Sequence, residues 1–399
     1  MFSFNRPRLH QLLSGFASIC LLGFCLLVSA CSDSSSRFCQ WAGDCPSGRE
    51  CTGGICIEKE VSPKAKERQM LVVSPCPGTK EVPKATLLAS KQYSLYLAQD
   101  NEAVYWTSYR SGKEGGGKAA VSRVRKSLLQ VNSLGHSPSG AMGVAVDATH
   151  VYWVTRGGKL FRVPKSGGNP ELVHSEKNGE FHAIALDATH VYWTQRGSTQ
   201  WMVKSLSKKG GVLTTIAKET GFIALAVDSQ AVYFSWQKQL VKYDKVSGKI
   251  KVLHRLNPRE LVLDDNHVYW GVAVSEYSRA LRIFKMSKRG ENPRLLASHS
   301  SLVHMTSEPS VSPVGFSHLF VDKEHLYYRD NDECMAPWAK EGECGKEGLF
   351  RIKKDGTQPT KILHQLDTYI TGIIVDERFI FWMSNDGSLK RLKRCGWKP

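Results

Sequence analysis

The sequence predicts an all-β protein in which one four-stranded unit occurs seven times. Each unit opens with an apolar stretch ending in Asp, followed after three turn residues by an apolar residue and an aromatic pair, most often Tyr-Trp. The units recur at intervals near the ~40–45 residues of a propeller blade. Ten Trp and 13 Tyr also favour strands. We therefore predict a seven-bladed β-propeller of four-stranded blades, preceded by a small disulfide-rich segment.

Composition excludes several classes of protein. The chain is 41% hydrophobic and 23% charged, which is enough apolar material for a large core and too balanced for a disordered or collagen-like chain. After residue 30 no run reaches the ~20 apolar residues of a membrane span, so a polytopic membrane protein is excluded. The formal net charge of +17 predicts a basic protein.

Residues 1–30 are predicted to be a signal peptide, because Arg6 and Arg8 precede an apolar stretch over 16–28. The tetrapeptide Val-Ser-Ala-Cys that ends at Cys31 resembles the bacterial lipobox, in which the cysteine is diacylated before cleavage. Residues 31–37 then supply the lipidated cysteine and a polar tether. The alternative is an ordinary signal peptide in which Cys31 falls at this position by chance.

The lipobox resemblance implies a protein of the bacterial cell envelope, held on a membrane by its acyl chains. Ser32 after the cysteine, in place of Asp, favours the outer membrane, with the protein facing the periplasm or the cell surface. We expect a monomer whose partners are the membrane and an envelope protein or glycan. Nucleic acid is not expected for an exported lipoprotein, and no cofactor is predicted.

Residues 38–57 form a cysteine-rich module that is too short to bury a core of its own. Its four cysteines, which predict two disulfides in an oxidising compartment, are Cys39, Cys45, Cys51 and Cys56. A zinc site is the competing interpretation, although the module lacks a Cys-x2-Cys pair. The charged, proline-containing stretch 58–84 reads as a semi-extended linker, and the propeller is predicted over 85–399.

The repeats are recognised by their aspartates, because an Asp carboxylate can bond the backbone N–H groups of the turn that follows it. The seven aspartates are Asp100, Asp147, Asp187, Asp228, Asp264, Asp322 and Asp376. Each aromatic pair is followed by a third strand, a turn rich in Gly and a short fourth strand. The last repeat stops after its third strand, and residues 86–90 match the missing fourth strand. The N-terminal strand is therefore predicted to close the ring, which removes exposed sheet edges.

Four further cysteines lie around the propeller, and an even number in an exported protein favours disulfides. Cys76 precedes the closing strand and Cys395 follows the last third strand, so a bridge between them would lock the closure. Cys334 and Cys344 lie within one insertion and are predicted to pair with each other. The sequence leaves this connectivity open.

Two stretches carry a family resemblance: DATHVYW over 147–153 and RVPKSGG over 162–168. They resemble the propeller repeats of uncharacterised bacterial lipoproteins, and are more distantly similar to YWTD, NHL and streptogramin-lyase propellers. The resemblance covers roughly residues 85–396 and implies the fold, whereas function varies widely among such propellers. The Asp of the YWTD motif is replaced, for example by Ser108 and Gln195.

The sequence offers few candidates for catalytic or metal-ligating residues. The turn histidines of four repeats, His150, His190, His267 and His325, are interpreted as turn residues, because equivalent positions in different blades are too far apart to share a metal. Four residues before the repeat Asp, most blades carry a small residue, but blades one, five and six carry Tyr96, Glu260 and His318. Glu260 and His318 belong to neighbouring blades, so the pair predicts either a ligand or acid–base site at the channel mouth, or a polar contact between blades. No metal site is predicted.

Two surfaces remain as candidates. The longer loops on one face predict ligand contacts, or are tolerated insertions, at Tyr109, Arg110, Tyr277, Arg279 and Trp338. On the other face the third-to-fourth-strand turns of all seven blades carry Lys or Arg, which predicts a basic ring that attracts anionic lipid or wall polymer, or serves solubility. The leading hypothesis is a lipid-anchored, non-catalytic binding scaffold. The alternative is a propeller enzyme of the lyase or lactonase type acting at the channel mouth.

Overall fold

The computed structural model describes residues 49–52, 55–58, 85–108, 119–137, 140–219, 224–273, 281–297, 319–331, 347–366 and 370–394. Every regular element in these ranges is a β-strand, and none of them contains a helix able to span a bilayer. The predicted signal peptide, the lipidation site at Cys31 and most of the linker lie outside these ranges. Of the eight cysteines in the predicted bridges, only Cys51 and Cys56 are described. The six outside the described ranges are Cys39, Cys45, Cys76, Cys334, Cys344 and Cys395.

In the cysteine-rich module, β1 (Arg49–Thr52) and β2 (Ile55–Glu58) form an antiparallel hairpin. Its backbone register sets Cys51 directly opposite Cys56. The disulfides of the module stay a prediction.

The remaining strands form seven four-stranded antiparallel sheets, which confirms the predicted fold class. The strand before the first repeat is β3 (Thr86–Ala89). Blade one contains β4 (Leu97–Gln99), β5 (Ala103–Thr107), β6 (Ala119–Arg125) and β7 (Val131–Ser137). Blade two contains β8 (Ala141–Val146), β9 (His150–Thr155), β10 (Lys159–Pro164) and β11 (Glu171–Ser175). Blade three contains β12 (Glu180–Leu186), β13 (His190–Arg196), β14 (Trp201–Ser207) and β15 (Thr214–Glu219).

The second half of the ring repeats this order. Blade four contains β16 (Leu225–Val227), β17 (Ala231–Trp236), β18 (Gln239–Asp244) and β19 (Ile250–His254). Blade five contains β20 (Glu260–Leu263), β21 (His267–Ala273), β22 (Leu281–Ser287) and β23 (Arg294–Ala297). Blade six contains β24 (Leu319–Val321), β25 (His325–Asn331), β26 (Glu347–Lys353) and β27 (Thr360–Leu366). Blade seven contains β28 (Ile370–Val375), β29 (Phe379–Ser384) and β30 (Leu389–Lys393).

The N-terminal strand closes the ring as predicted. β3 pairs antiparallel with β30 and becomes the fourth, outermost strand of blade seven. The Gln92 N–H donates to Gly387 O at 2.8 Å just after this strand. The first strands of successive blades contact one another around the axis, and β28 of blade seven contacts β4 of blade one. Since the first and last strands of the propeller share one blade, unfolding that blade opens the ring.

The core lies between the blades. Second strands such as β9 are buried almost throughout, because each is packed on both faces against neighbouring blades, whereas the outer strand β11 is largely exposed. The aromatic pairs of the repeats fill these joints. Fully buried members of the pairs, each less than 2% exposed, include Trp106, Trp153, Trp193, Trp270, Trp382, Tyr105, Tyr152, Tyr233, Tyr269 and Tyr327. Burying such rings contributes strongly to the stability of the joints.

Candidate functional site

The turn after the first strand has the same hydrogen bonding in all seven blades. In blade three, Asp187 Oδ1 accepts the backbone N–H of Thr189 and of His190, each at 2.7 Å. The corresponding acceptors in the other blades are Asp100, Asp147, Asp228, Asp264, Asp322 and Asp376. The predicted role of the repeat Asp in its turn is therefore confirmed.

The turn histidines belong to these turns. The backbone N–H groups of His150, His190, His267 and His325 each donate to the Asp of their own blade. Each ring lies about 6 Å from the ring of the Tyr two residues further on. Within the described ranges no three His, Cys, Asp or Glu side chains come together as a potential metal site.

The second carboxylate oxygen of each Asp connects neighbouring blades. It contacts a Lys or Arg from the third-to-fourth-strand turn of the next blade. The bridges join Lys165 to Asp100 (2.6 Å), Lys208 to Asp147 (2.8 Å), Lys245 to Asp187, Lys288 to Asp228 (2.8 Å), Lys354 to Asp264 (2.9 Å), Arg394 to Asp322 (2.9 Å) and Lys126 to Asp376 (2.9 Å). We call these fourteen residues the bridge circle, because the last pair joins blade one to blade seven.

The bridge circle changes the interpretation of the predicted basic ring. Seven of the basic turn residues are neutralised by carboxylates of the preceding blade, so their charge holds the blades together. Burial by itself raises the pKa of the Asp187 carboxyl, but the Lys245 ammonium and the backbone N–H groups outweigh it and hold that pKa well below its usual range. The Asp187 carboxyl is therefore ionised at neutral pH.

A second polar network joins blades two and three near the opposite face. Gln195 Nε2 donates to Glu176 Oε2 at 2.5 Å, and the Lys204 ammonium and His174 Nε2 both contact Glu176 Oε1, the latter at 3.3 Å. Burial raises the pKa of Glu176, but the bonds from Lys204 and Gln195 outweigh it and hold the pKa below its usual range. These contacts tie the turn after β11 to blade three.

The residues predicted at the channel mouth are only partly described. Tyr96 is 8% exposed and its burial raises the pKa of the phenol, while the positive charge of Arg156 opposes that shift. Glu260 is half-buried at the first position of β20. Tyr96 and Glu260 belong to blades one and five, which are not neighbours, so the ring does not bring them together. His318 lies outside the described residues, and the predicted Glu260–His318 pair stays a prediction.

The predicted loop contacts also lie outside the described residues. These are Tyr109, Arg110, Tyr277, Arg279 and Trp338. The described strands nevertheless fix where their loops begin and end, on the face opposite the bridge circle.

Sequence reasoning missed His182 in the first strand of blade three. Its side chain is 3% exposed and packs on Trp201, with ring centroids 4.8 Å apart. His182 lies in a β-bulge between Phe181 and Ile184, one place before the residue that counting back four positions from the repeat Asp selects. The signal in the sequence is a single His within the apolar strand that leads to the repeat Asp.

The surroundings of His182 keep its imidazole neutral. Its Nε2 lies 3.5 Å from Glu180 Oε2 without hydrogen-bond geometry, and its Nδ1 has no hydrogen-bond partner among the described residues. Burial lowers the pKa of His182 to about 4, against the opposing effect of the Glu180 carboxylate. Glu180 also lies 3.7 Å from Arg196 Nη1.

Comparison with known proteins supports the fold. No family model and no curated protein sequence matches the chain. The chain is similar to oligogalacturonate lyase from Vibrio parahaemolyticus (TM-score 0.54, 10% identity, 79% of this chain and 94% of that one). It is also similar to virginiamycin B lyase from Staphylococcus aureus (0.53, 12%, 78% and 99%) and to the WD40 β-propeller domain of Doa1 (0.51, 12%, 78% and 97%). At these identities the similarity shows a shared β-propeller fold.

Proposed function

We propose that the chain is a lipid-anchored cell-envelope protein whose propeller is a non-catalytic binding scaffold for a protein, glycan or cell-wall ligand. The anchor is assigned to Cys31, on the sequence that precedes it. The binding role rests on the distribution of bridges and long loops between the two faces of the ring.

The observation that carries the binding role is the bridge circle. It ties every blade to the next on one face, so the strands present a rigid base to whatever lies on the other face. The long connections between strands on that other face are 108–118, 274–280, 298–318 and 332–346, whereas the corresponding connection in blade two is only 156–158. Recognition residues are commonly carried by long loops on a rigid scaffold.

The pKa shifts of two buried groups, His182 and Tyr96, give no support to acid–base catalysis by either side chain. A general acid or base works best with a pKa near the working pH. Burial instead lowers the pKa of His182 to about 4 and raises the pKa of Tyr96, so both move away from neutrality. The enzyme alternative, of lyase or hydrolase type, therefore rests on Glu260 and His318.

The scaffold proposal is tested with the full chain in detergent as bait for solubilised envelope at two salt concentrations. We expect a discrete partner that survives high salt, because loop contacts are specific while surface charge is screened. In the test variant, 332–346 is replaced by the Arg-Gly-Gly turn of 156–158, and we expect the partner to be lost. The matched control is Lys209→Ala, an exposed change on the bridge-circle face, which should keep the partner. Retention at low salt alone, or equal retention by the loop variant, contradicts the proposal.

The anchor is tested separately by labelling cells with palmitate. Cys31→Ser is expected to abolish labelling and to move the protein from the membrane fraction to the soluble envelope fraction, because position 31 no longer carries a thiol to be acylated. Cys25→Ser, within the apolar stretch of the signal peptide, should leave both unchanged. Unlabelled wild-type protein would identify an ordinary signal peptide.

A further inference from the structure

The bridge-circle face carries almost no net charge. The bridges pair seven basic residues with seven carboxylates. The connections between strands on this face hold five other basic residues, namely Lys209, Lys249, Arg289, Lys323 and Arg378. They also hold six other acidic residues, namely Glu102, Asp265, Glu291, Glu324, Asp355 and Glu377. An anionic partner therefore finds little net attraction on this face.

The opposite face, which we call the loop face, is basic from blade two to the start of blade five. Six exposed basic residues lie in its connections there or within two residues of them, and we call them the basic arc: Arg156, Lys177, Arg196, Lys218, Lys238 and Arg259. The acidic residues of the same stretches are Glu176, Glu180, Glu219 and Glu260.

Most of the basic arc is not neutralised within the described part of the chain. Arg196 lies 3.7 Å from Glu180, and it is the one member of the arc with an ion pair to a described residue. Glu176, which lies next to Lys177, is already in contact with Lys204. The loop face therefore presents positive charge that is available to a ligand, whereas the bridge-circle face does not.

The basic arc follows the ring and does not converge on one pocket. Arg156 and Lys177 follow strands of blade two, Lys218 lies in blade three and Lys238 in blade four. The first strands of these blades contact one another in turn. A small anion could touch few of these side chains at once. A long polymer with a negative group on each unit can touch several, and such linked contacts strengthen one another.

A half-buried tryptophan lies within the basic arc. Trp236 ends β17, two residues before Lys238, and its indole N–H donates to Lys218 O at 2.9 Å, which holds the ring at the joint of blades three and four. The equivalent positions of blades two and three are Thr155 and Gln195, so the repeat does not require an aromatic ring here. Such a ring offers the apolar face of a sugar a surface on which to pack.

Strongly exposed apolar side chains lie elsewhere on the molecule. Among the described residues, the large ones are Leu87, Leu128, Leu172, Val212, Val246 and Val252. Three of them are in turns of the bridge-circle face and three are on outermost strands. A protein–protein interface usually has an apolar core. The described part of the loop face offers none, so its charge suits a hydrated polymer better than a protein.

We propose that the basic arc binds an acidic polysaccharide, a linear chain whose sugars carry carboxylate or phosphate groups. The Arg and Lys side chains supply charged hydrogen-bond donors for these groups, and Trp236 contacts a sugar ring. This inference rests on the proposed function, because the cell envelope makes a glycan, and not a nucleic acid, the polyanion that the protein meets. It adds a second binding surface to the long loops.

The ligand class is tested by titrating the full chain in detergent with four polymers. Alginate fragments carry carboxylates and dextran phosphate carries phosphates, while dextran is neutral and poly-L-glutamate is a polyanion without sugars. We expect at least one acidic glycan to bind with a Kd below about 100 μM, and more weakly as salt rises, whereas dextran does not bind. The tighter glycan identifies the acidic group. Equal or tighter binding of poly-L-glutamate, or no binding of either acidic glycan, overturns the proposal.

The place of binding is tested by removing three charges of the basic arc in one chain, through Arg156→Gln, Lys177→Gln and Lys218→Gln. The affinity for the acidic glycan is expected to fall at least about tenfold, because each charge near the polymer contributes to binding. The measurement is made at about 0.15 M salt, where the Debye length of about 8 Å limits the effect of distant charges.

The matched control makes the same change in net charge on the bridge-circle face. It combines three exposed substitutions, Lys209→Gln, Lys249→Gln and Arg289→Gln. This variant should bind within about twofold of the wild type, since its lost charges lie more than a Debye length from the polymer. Equal losses in the two triple variants would show that only net charge matters and would overturn the basic arc.

Lys238→Gly separates a role in binding from a role in folding. Gln237 and Lys238 form the turn between β17 and β18 with φ of 51° and 58°, in the left-handed region that Gly adopts more readily than Lys. The substitution is expected to weaken glycan binding about threefold while the midpoint of urea denaturation stays the same or rises. A lower midpoint, or unchanged binding, would contradict a ligand contact at Lys238.

The outcomes also separate this surface from the scaffold proposal. The variant in which 332–346 is replaced should bind the acidic glycan like the wild type, because the basic arc lies on other blades. Capture of a loop-dependent envelope partner without glycan binding overturns this inference and leaves the scaffold proposal standing. Glycan binding without any captured partner supports the basic arc and contradicts the role of the long loops.

Discussion

Asp187→Ala is expected to lower the free energy of unfolding by about 3 kcal/mol, measured by urea denaturation at pH 7. The Asp187 side chain is 9% exposed and accepts two backbone N–H groups at 2.7 Å and the Tyr192 hydroxyl at 2.8 Å. It also neutralises Lys245 of the next blade. The substitution leaves these donors without their acceptor inside a blade joint.

The control for this loss is Glu377→Ala, which removes an exposed ion pair. Glu377 lies 3.9 Å from Lys323, and the side chains are 85% and 93% exposed. Exposed pairs contribute little, so a change below about 0.5 kcal/mol is expected. A similar change in Asp187→Ala would mean that the bridge circle does not stabilise the ring.

The destabilisation by Asp187→Ala should also depend on pH. Burial opposes ionisation of this carboxyl, but Lys245 and the backbone donors prevail and depress the folded-state pKa below the unfolded value near 3.9. A depressed carboxyl pKa stabilises the folded state above the unfolded pKa, and the contribution is lost as the pH falls towards the folded pKa. The difference between the variant and the wild type should therefore be full at pH 6 and shrink below about pH 4.

Gly158→Ala is expected to destabilise the protein by about 3–5 kcal/mol, through backbone strain and a collision with the turn that connects blades two and three. Gly158 has a φ of +66°, in the left-handed region. A Cβ at this position would lie 2.3 Å from Glu176 O and 2.6 Å from Gly179 O. These are backbone atoms of the turn that Gln195 and Lys204 hold against blade three, so the turn cannot yield without breaking that network.

Gly210→Ala separates strain from collision. Gly210 also has a positive φ, of +85°, but nothing lies within 4 Å of an added Cβ. Its loss should be about 1–2 kcal/mol, the cost of the left-handed conformation alone. Equal losses in both variants, measured by urea denaturation, would show that the turn containing Glu176 relaxes freely.

The repeat pattern was sufficient to predict seven blades, their four-stranded composition and the closing strand. Each blade is built from local antiparallel pairings, such as β9 with β10, that short turns bring together. The Asp turns were predictable for the same reason, since Asp187 bonds residues two and three positions away. Closure of the ring followed from the missing fourth strand of the last repeat.

The role of the basic turn residues was not predictable from the pattern. Lys245 is 58 residues from Asp187, and Arg394 is 72 residues from Asp322. Without the arrangement of the blades, a Lys at each turn indicates only positive charge. The structure shows that most of these lysines form ion pairs with carboxylates of the preceding blade.

The candidate site residues, too, were only partly predictable from the repeat pattern. Counting along the repeat selects Tyr96, Glu260 and His318, because it assumes that every first strand keeps one register. His182 lies one place before that position, in a β-bulge that blade two repeats between Ala141 and Val144, and its imidazole is buried beside Glu180. A bulge depends on how the strand packs against its neighbours, so a repeat count passes over it.

The sequence by itself determined the number of blades, the turns and the closure, because hydrophobic periodicity and turn chemistry act over a few residues. Only the tertiary structure decided which charges are neutralised and which remain available. Whether a charge is neutralised depends on distances between neighbouring blades. An example is the ion pair between Lys126 and Asp376, which joins blades one and seven. Charge pairing acts through space, and the same basic residue is a surface charge or a structural bridge according to the blade beside it.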